Sequence, residues 1–358
     1  MTTIIRRQNE VEIDLYDKIL GGLLGGAVGD AMGAATEART TQQIIKIFGR
    51  KVTDFEKPPA DAIGAGSERG QLTDDFSCAY FIASHIIRHN GLINQQIVKE
   101  AILDWSEHKV FFERFAGPTT RLAIKRFRGE APADSNKMEL LPLQATNGAG
   151  MRISPIGLLN PGNLDQAIAD AVSATLPTHN NQLAISGACA VACAVSRAML
   201  PDADVYQIVQ AGFYGAQEGE RIGREVGRIA AGPSVVRRME MAISIGLGQG
   251  TPEEKMFEIA DRIGSGLHVS EAVPAAFGLF VANGGEAMAS IISGVNIGYD
   301  TDTVATMAGA MAGTLQGAGA FPNHYLTLLD QVNGIDLTNL ALGIKKIAIR
   351  RQSANGRA

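Results

Sequence analysis

The sequence predicts an all-α protein, a compact bundle of many helices of the orthogonal type. Three observations carry that expectation. Nearly every periodic segment of the 358 residues repeats its apolar positions at helical spacing. No run alternates as a half-buried strand does, and Val269 is among the few β-branched residues with strand-like neighbours. Glycine is abundant, at 41 residues, and gathers inside helix-like segments three or four positions apart, which suits close helix–helix approach better than linkers.

Taken in order, the first helix starts at Asp14 as its cap and runs to about Gly33, with Gly22, Gly26, Gly29 and Gly33 forming a smooth stripe. Gly309, Gly313 and Gly317 repeat the device late in the chain, so both helices are expected at the centre. A short helix spans Thr41 to Phe48 and stops at Gly49. Residues 50–72 form a long polar loop of the kind that serves as a lid or binding loop, or is disordered. Thr73-Asp74-Asp75 opens the next helix, which ends at Asn90-Gly91. Further helices are expected at about 94–108, 118–128, 164–176, 181–199, 203–230, 234–247, 252–263, 271–282, 285–296, 302–318, 323–333 and 336–350. An irregular stretch from Leu143 to Arg152 separates two of them. No linker divides the chain, so one domain is expected over 1–358, with a core at about 15–350 and frayed termini, including QSANGRA after Arg351.

Composition bounds the function classes. Apolar residues are 46% and charged residues 19%, ordinary for a globular chain with a large core. A net charge of −5 offers no basic field for nucleic acid or an anionic membrane. Three cysteines, an odd and low number, argue for a reducing compartment without a disulfide framework. Cys189 and Cys193 share a helix face among Ala and Val and are expected as buried apolar residues. The N-terminus lacks the apolar region of a signal peptide, and the most apolar runs, near 19–35 and 304–320, are short, Gly-studded and flanked by Asp. The expected location is the cytoplasm.

The chemistry concentrates in Gly298-Tyr299-Asp300-Thr301-Asp302-Thr303. One carboxylate at the mouth of an apolar helix serves as an N-cap and meets the helix dipole. A second one crowds like charges unless a cation sits among them. Thr73-Asp74-Asp75 has the same grammar, and Asp30 with Glu37 adds a third acidic cluster. If these mouths face each other, they offer hard oxygen ligands without His or Cys, a set that suits Mg²⁺ or Mn²⁺ rather than zinc. Two such ions can clamp a diol and polarise a water. Each cluster alone is also explained as a helix start or, for Glu37, as a solvated residue. Asn147-Gly148-Ala149-Gly150 beside a helix start reads as a plain turn or as an anion cradle.

Residues 21–37 (GGLLGGAVGDAMGAATE), Leu72-Thr73-Asp74-Asp75 and 298–303 (GYDTDT) together resemble the ADP-ribosylglycohydrolase family. That family includes the dinitrogenase-reductase-activating glycohydrolase and the ADP-ribosyl-acceptor hydrolases. Residues 147–152 (NGAGMR) with 154–157 (SPIG) look like its substrate loop, Thr178-His179 like its Thr-His element, and 270–276 (SEAVPAA) like the segment two helices before the last metal motif. The likeness spans about 15–320 in the same order. It implies a binuclear Mg²⁺ or Mn²⁺ centre in a cleft, with Thr73, Asp74, Asp75, Asp300, Asp302 and Thr303 as ligands. It implies that Glu37 sits on a mobile loop over the metals and that Asn147, Gly148 and His179 touch the substrate. The implied reaction is hydrolysis at the anomeric carbon of a ribose, with Asp75 or Asp302 as base and Glu37 also among the catalytic residues. The implied partner is ADP-ribose, an ADP-ribosylated protein or a small ribosyl compound; the alternatives to an ADP-ribosyl-acceptor hydrolase are an N-glycosidase of a nucleoside-like substrate and a non-catalytic ADP-ribose-binding protein. Three departures bear on the leaving group. Tyr299 stands where the family often has Gly, Phe76 where a small or hydroxyl residue is common, and the substrate loop begins Gln144-Ala145-Thr146 without a Gly-rich lead. Tyr299 is therefore expected to narrow the cleft or stack on a base.

Overall fold

The computed structural model describes residues 2–130 and 145–355, with side chains from 15 to 130 and from 145 to 353. Its helices in chain order are α1 (Thr2–Gly33), α2 (Thr41–Phe48), α3 (Asp74–Arg88), α4 (Gln95–Glu107), α5 (Lys109–Phe115) and α6 (Pro118–Phe127). Further along come α7 (Ser154–Leu158), α8 (Leu164–Thr175), α9 (Gln182–Ala198), α10 (Val205–Val226), α11 (Val235–Leu247) and α12 (Pro252–Arg262). The last five are α13 (Val269–Ala282), α14 (Ala287–Asn296), α15 (Thr301–Gln316), α16 (His324–Asn333) and α17 (Leu337–Asn355). The fold is all-α: among the described residues there is no strand, only the isolated bridges Thr146–His268 and Asn181–Arg228.

The molecule is built on the antiparallel-looking seam of glycines between α1 and α15, the most extensive helix–helix contact in the chain. A Cβ at Gly25 would lie 2.0 Å from the Gly309 carbonyl oxygen, and one at Gly29 2.3 Å from that of Ala305. No side chain larger than hydrogen fits such an approach, and the gain is van der Waals contact along two backbones. The stripe differs from the expected one. Gly21, Gly25, Gly29 and Gly33, spaced by four, meet backbone atoms at and beside α15, whereas Gly22 makes room for the Thr314 side chain of α15 and Gly26 for the Phe76 ring. At the end of the seam, a Cβ on Gly33 would sit 2.3 Å from the Asp302 Cα. The close approach thus delivers the start of α15 to the end of α1.

Other expectations need correction. Helix α1 continues back through Asp14 to Thr2, so Asp14 is no cap. Helix α10 stops at Val226, where Gly227 turns extended. Val269 is the first residue of α13, not a strand residue, because His268 caps that helix by accepting the Ser270 N–H. Gly284 and Gly285, both at positive φ, delay α14 to Ala287. The short helices α5 and α7 lie in stretches with too little periodicity to signal them. Helix α17 extends through Arg351 to Asn355, and residues 356–358 lie outside the described residues, as do Leu143 and Gln144. The 50–72 loop has no helix but is anchored, with Val52 and Phe55 buried and the Asn296 side chain bonded to both polar groups of the Val52 backbone. The three cysteines are free and buried. No described helix is long and apolar enough to cross a membrane.

Candidate active site

Three helix ends converge on one cleft of about 280 Å³. Helix α15 contributes Asp300, Asp302 and Thr303, helix α3 contributes Asp74 and Asp75, and Glu37 follows the end of α1. The opposite wall is the start of α6 (Gly117–Thr120) and the 3-10 turn Asn147–Ala149, with His179, and Ile63, Phe115 and Leu267 are apolar members of the lining.

The decisive local fact concerns Asp300. It occupies the N-cap position of α15, yet its side chain makes no cap hydrogen bond. Its carboxylate instead accepts from Asn147 Nδ2 at 2.5 Å. The turn that aims it is unusual: Gly298 and Tyr299 both have positive φ, at 98° and 66°, and the Asp300 N–H donates to the Ser265 carbonyl. At Tyr299 this left-handed backbone costs about 1 kcal/mol or more, the strain that a glycine would avoid. Ala38, at φ 61°, donates its N–H to the Tyr299 carbonyl, while Tyr299 N–H donates to Arg39. Glu37 and Asp300 are thereby laced together through backbone. Thr301 faces away from the cleft and bonds the Gly33 carbonyl, joined by Thr36.

Carboxylate oxygens of Glu37, Asp300 and Asp302 lie within 4.8 Å of one another. Burial, reinforced by neighbouring carboxylates, pushes the Glu37 carboxyl up to about 8 and that of Asp74 to about 7. Burial likewise raises Asp300, and it drives Asp75 and Asp302 well above the carboxylate range, helped by Asp74 and by Glu37 respectively. Asp75 Oδ2 and Asp302 Oδ1 are buried without any hydrogen-bond partner. Buried carboxylates gathered together with orphaned oxygens are the arrangement that a divalent ion relieves. The donor set, all oxygen, fits Mg²⁺ or Mn²⁺.

Not every expected residue lines the cleft. Thr73 sits behind the wall as the N-cap of α3, its hydroxyl accepting the Asp75 N–H. Tyr299 points elsewhere: its side chain is half-exposed, and its ring covers Gly266 in a neighbouring groove with Gln43 and Phe257. A Cβ on Gly266 would meet that ring at 2.3 Å. The structure therefore corrects the expectation that Tyr299 narrows the cleft. Asn147, Gly148 and His179 do line it, and a Cβ on Gly148 would press on His179 Nε2 at 2.7 Å.

Several supporting roles escaped the sequence reading, although the residues themselves stood in its motifs. Asp30, fully buried, accepts the backbone N–H groups of Thr73 at 3.0 Å and Phe76 at 2.9 Å, pinning the head of α3; burial pushes its carboxyl up to about 6. Its place in the Gly29-Asp30 motif signalled importance but not this partner. Arg152, buried below the cleft, donates to the Thr178 hydroxyl. That leaves the Thr178 proton for His179 Nδ1, 2.8 Å away, so Nε2 carries the hydrogen towards Thr146 Oγ1 at 3.1 Å. Burial, then the Arg152 charge, holds His179 well below its usual range, so the imidazole is neutral and serves as a donor. Nothing local in the sequence links Arg152 to His179.

The chain matches the ADP-ribosylglycohydrolase family over residues 12–355. It belongs to the ADP-ribosylglycohydrolases. It is 30% identical to the Escherichia coli (strain K12) protein YegU over 340 residues, 94% of this chain and 99% of that one. It is 25% identical to the ADP-ribosylarginine hydrolase Tri1 of Serratia proteamaculans (strain 568) over 288 residues, 78% of this chain and 69% of that protein. A solved ADP-ribosylglycohydrolase-related protein complex shares the fold with a TM-score of 0.65 at 23% identity, covering 94% of this chain and 99% of that chain. ADP-ribosylglycohydrolases are hydrolases of glycosidic bonds that act on ADP-ribosylated substrates and generally use divalent metals.

Proposed function

We propose that this ADP-ribosylglycohydrolase removes ADP-ribose from a modified acceptor, ADP-ribosyl-arginine or a similar adduct, at a centre of two divalent cations. The observation that carries the reading is Asp300: a residue in a cap position that does not cap, held by Asn147 among Glu37 and Asp302. Asp74, Asp75, Asp300, Asp302 and Thr303, which line the cleft, would hold Mg²⁺ or Mn²⁺, Glu37 is close enough to join them, and Thr73 would add the second lone pair of its capping hydroxyl. Bound ions would supply a grip on the ribose 2′- and 3′-hydroxyls and acidify a water. Asp75 or Asp302, each having a buried oxygen with no other partner, would accept the proton of the attacking water. The surrounding carboxylates stabilise positive charge developing at the anomeric carbon. Asn147 keeps Asp300 in place, and the backbone of Gly148 and the Nε2–H of His179, on exchanging Thr146 Oγ1 for substrate, present donors to the substrate's oxygens.

The test is release of ADP-ribose from arginine-modified protein. It should require Mg²⁺ or Mn²⁺ and fall by at least about 10²-fold in Asp75→Asn and Asp302→Asn, the usual scale for a lost proton acceptor. Full turnover in EDTA sinks the reading. A small ribosyl substrate is the second reading, favoured by the cleft volume of about 280 Å³, at the low end for small-molecule sites. A panel of nucleosides beside protein adducts separates the two, and turnover confined to protein adducts excludes the second.

A further inference from the structure

The other end of α3 carries a second set of ligand-type side chains, remote from the cleft. His85 and His89 are four residues apart on one helix face, and Glu100 comes from the neighbouring α4. One ring nitrogen of each histidine and a carboxylate oxygen of Glu100 lie within 4.8 Å of one another, and the two imidazoles are stacked 22° from parallel with centroids 6.3 Å apart.

What distinguishes this group from a chance surface cluster is how each imidazole is held. His85 Nε2 lies 2.8 Å from Asp104 Oδ2, and Arg88 Nη1 reaches the same oxygen at 3.4 Å. Arg88 Nη1 is also 3.2 Å from His85 Nε2. The carboxylate can only accept and is the closer partner, so Nε2 carries the hydrogen and donates it to Asp104. His85 Nδ1 then bears the lone pair, and that atom is buried without a hydrogen-bond partner. His89 Nδ1 is 2.9 Å from the His85 carbonyl oxygen, also an obligate acceptor, so Nδ1 carries the hydrogen. His89 Nε2 is left with its lone pair, 3.8 Å from Glu100 Oε2. In each ring one nitrogen is fixed by an acceptor and the other is left basic, as in ligating histidines whose second nitrogen is held by a carboxylate or a backbone carbonyl.

We infer that His85, His89 and Glu100 form a binding site for a borderline divalent ion of the Zn²⁺ type. Two imidazoles and a carboxylate with an open fourth position suit zinc, and bonds of 2.0–2.1 Å in a tetrahedron require donor atoms about 3.3 Å apart. The exposed side chains of His89 and Glu100 reach that spacing by small rotations from 3.8 Å. The bound ion ties the C-terminal end of α3 to α4, while the N-terminal end of α3 carries Asp74 and Asp75 about 20 Å away at 1.5 Å per residue. The oxygen-only cleft and this nitrogen-containing site therefore sort hard and borderline ions between them.

Zinc titration by calorimetry and by melting temperature, with Mg²⁺ in excess, tests the site in the wild type and in variants. One zinc equivalent should bind and raise the melting temperature in the wild type and in Asp302→Asn, where the cleft centre is damaged. His89→Ala and Glu100→Gln, at exposed positions that keep the fold, should weaken binding at least about tenfold, and Asp104→Ala, acting through the orientation of His85, by about 10–100-fold. Zinc binding that survives unchanged in His89→Ala and Glu100→Gln, or that disappears in Asp302→Asn, overturns the proposal. Because Asp302→Asn tests the cleft and His89→Ala tests this site, failure of one leaves the other standing.

Discussion

At the scale of single residues, Asp300 and Tyr299 are neighbours with separate tasks. A residue that caps a helix costs about 1 kcal/mol when replaced by Ala. Asp300→Ala in EDTA removes one of the crowded carboxylates but also the Asn147 bond, two opposed effects that should leave stability little changed, while metal-dependent turnover is lost. Urea unfolding beside an activity assay checks this, and a loss of stability with metal-dependent turnover retained would make Asp300 a structural residue. Tyr299 supports the site from behind. Its ring lies on Gly266, whose carbonyl faces Asn147 Nδ2 at 3.5 Å, and the next carbonyl, of Leu267, accepts the Asn147 N–H. Gly266→Ala should therefore lower kcat by displacing the Asn147 anchor, and Tyr299→Gly in the same chain should restore part of it. Tyr299→Gly alone should leave substrate preference within about twofold. No recovery in the double variant would show that the ring does not transmit the displacement.

Among elements, the α1–α15 seam is where sequence spacing and geometry can be compared most directly. Its existence was legible because glycine is costly inside helices and several on one face need a reason. Its rotational setting was not, since Gly21, Gly22, Gly25 and Gly26 offer two candidate stripes and only packing against α15 chooses between them. The same limit applies at the site. Thr73-Asp74-Asp75 and Asp300-Thr301-Asp302 were readable as oxygen donors from composition, but Asp30 bracing α3 and Arg152 orienting His179 depend on contacts far apart in sequence. Elements without periodicity, such as α5 and α7, were silent for the same reason. Gly29→Ala should destabilise the protein by about 2–3 kcal/mol, because its Cβ would lie 2.3 Å from a carbonyl oxygen of α15 that cannot move aside. Gly319→Ala, with nothing within 4 Å, is the matched control and should be near neutral in the same urea titration.

On the scale of the whole molecule, the acidic cleft makes stability depend on both pH and metal, and the sign follows from the direction of the shifts. Without metal, the folded carboxyls of Asp30, Asp74 and Glu37 stand at about 6, 7 and 8, above their ordinary values of 3.8, 3.8 and 4.5. Asp75, Asp300 and Asp302 move the same way. Between the ordinary carboxylate range and about pH 8 the folded chain holds more protons than the unfolded one, so rising pH lowers stability across that window. Below the window both states are protonated and the contribution is constant. Divalent ions bind the ionised form of these groups, so their stabilisation grows with pH as protons leave. In EDTA the melting temperature should fall from pH 5 to pH 8, and the increment from added Mg²⁺ or Mn²⁺ should widen over the same range. Asp302→Asn removes one of the repelling charges and one of the donors together, so both the fall and the increment should shrink. A melting temperature in EDTA that is flat or rises across this range would mean that the carboxylates are paired by something other than a metal.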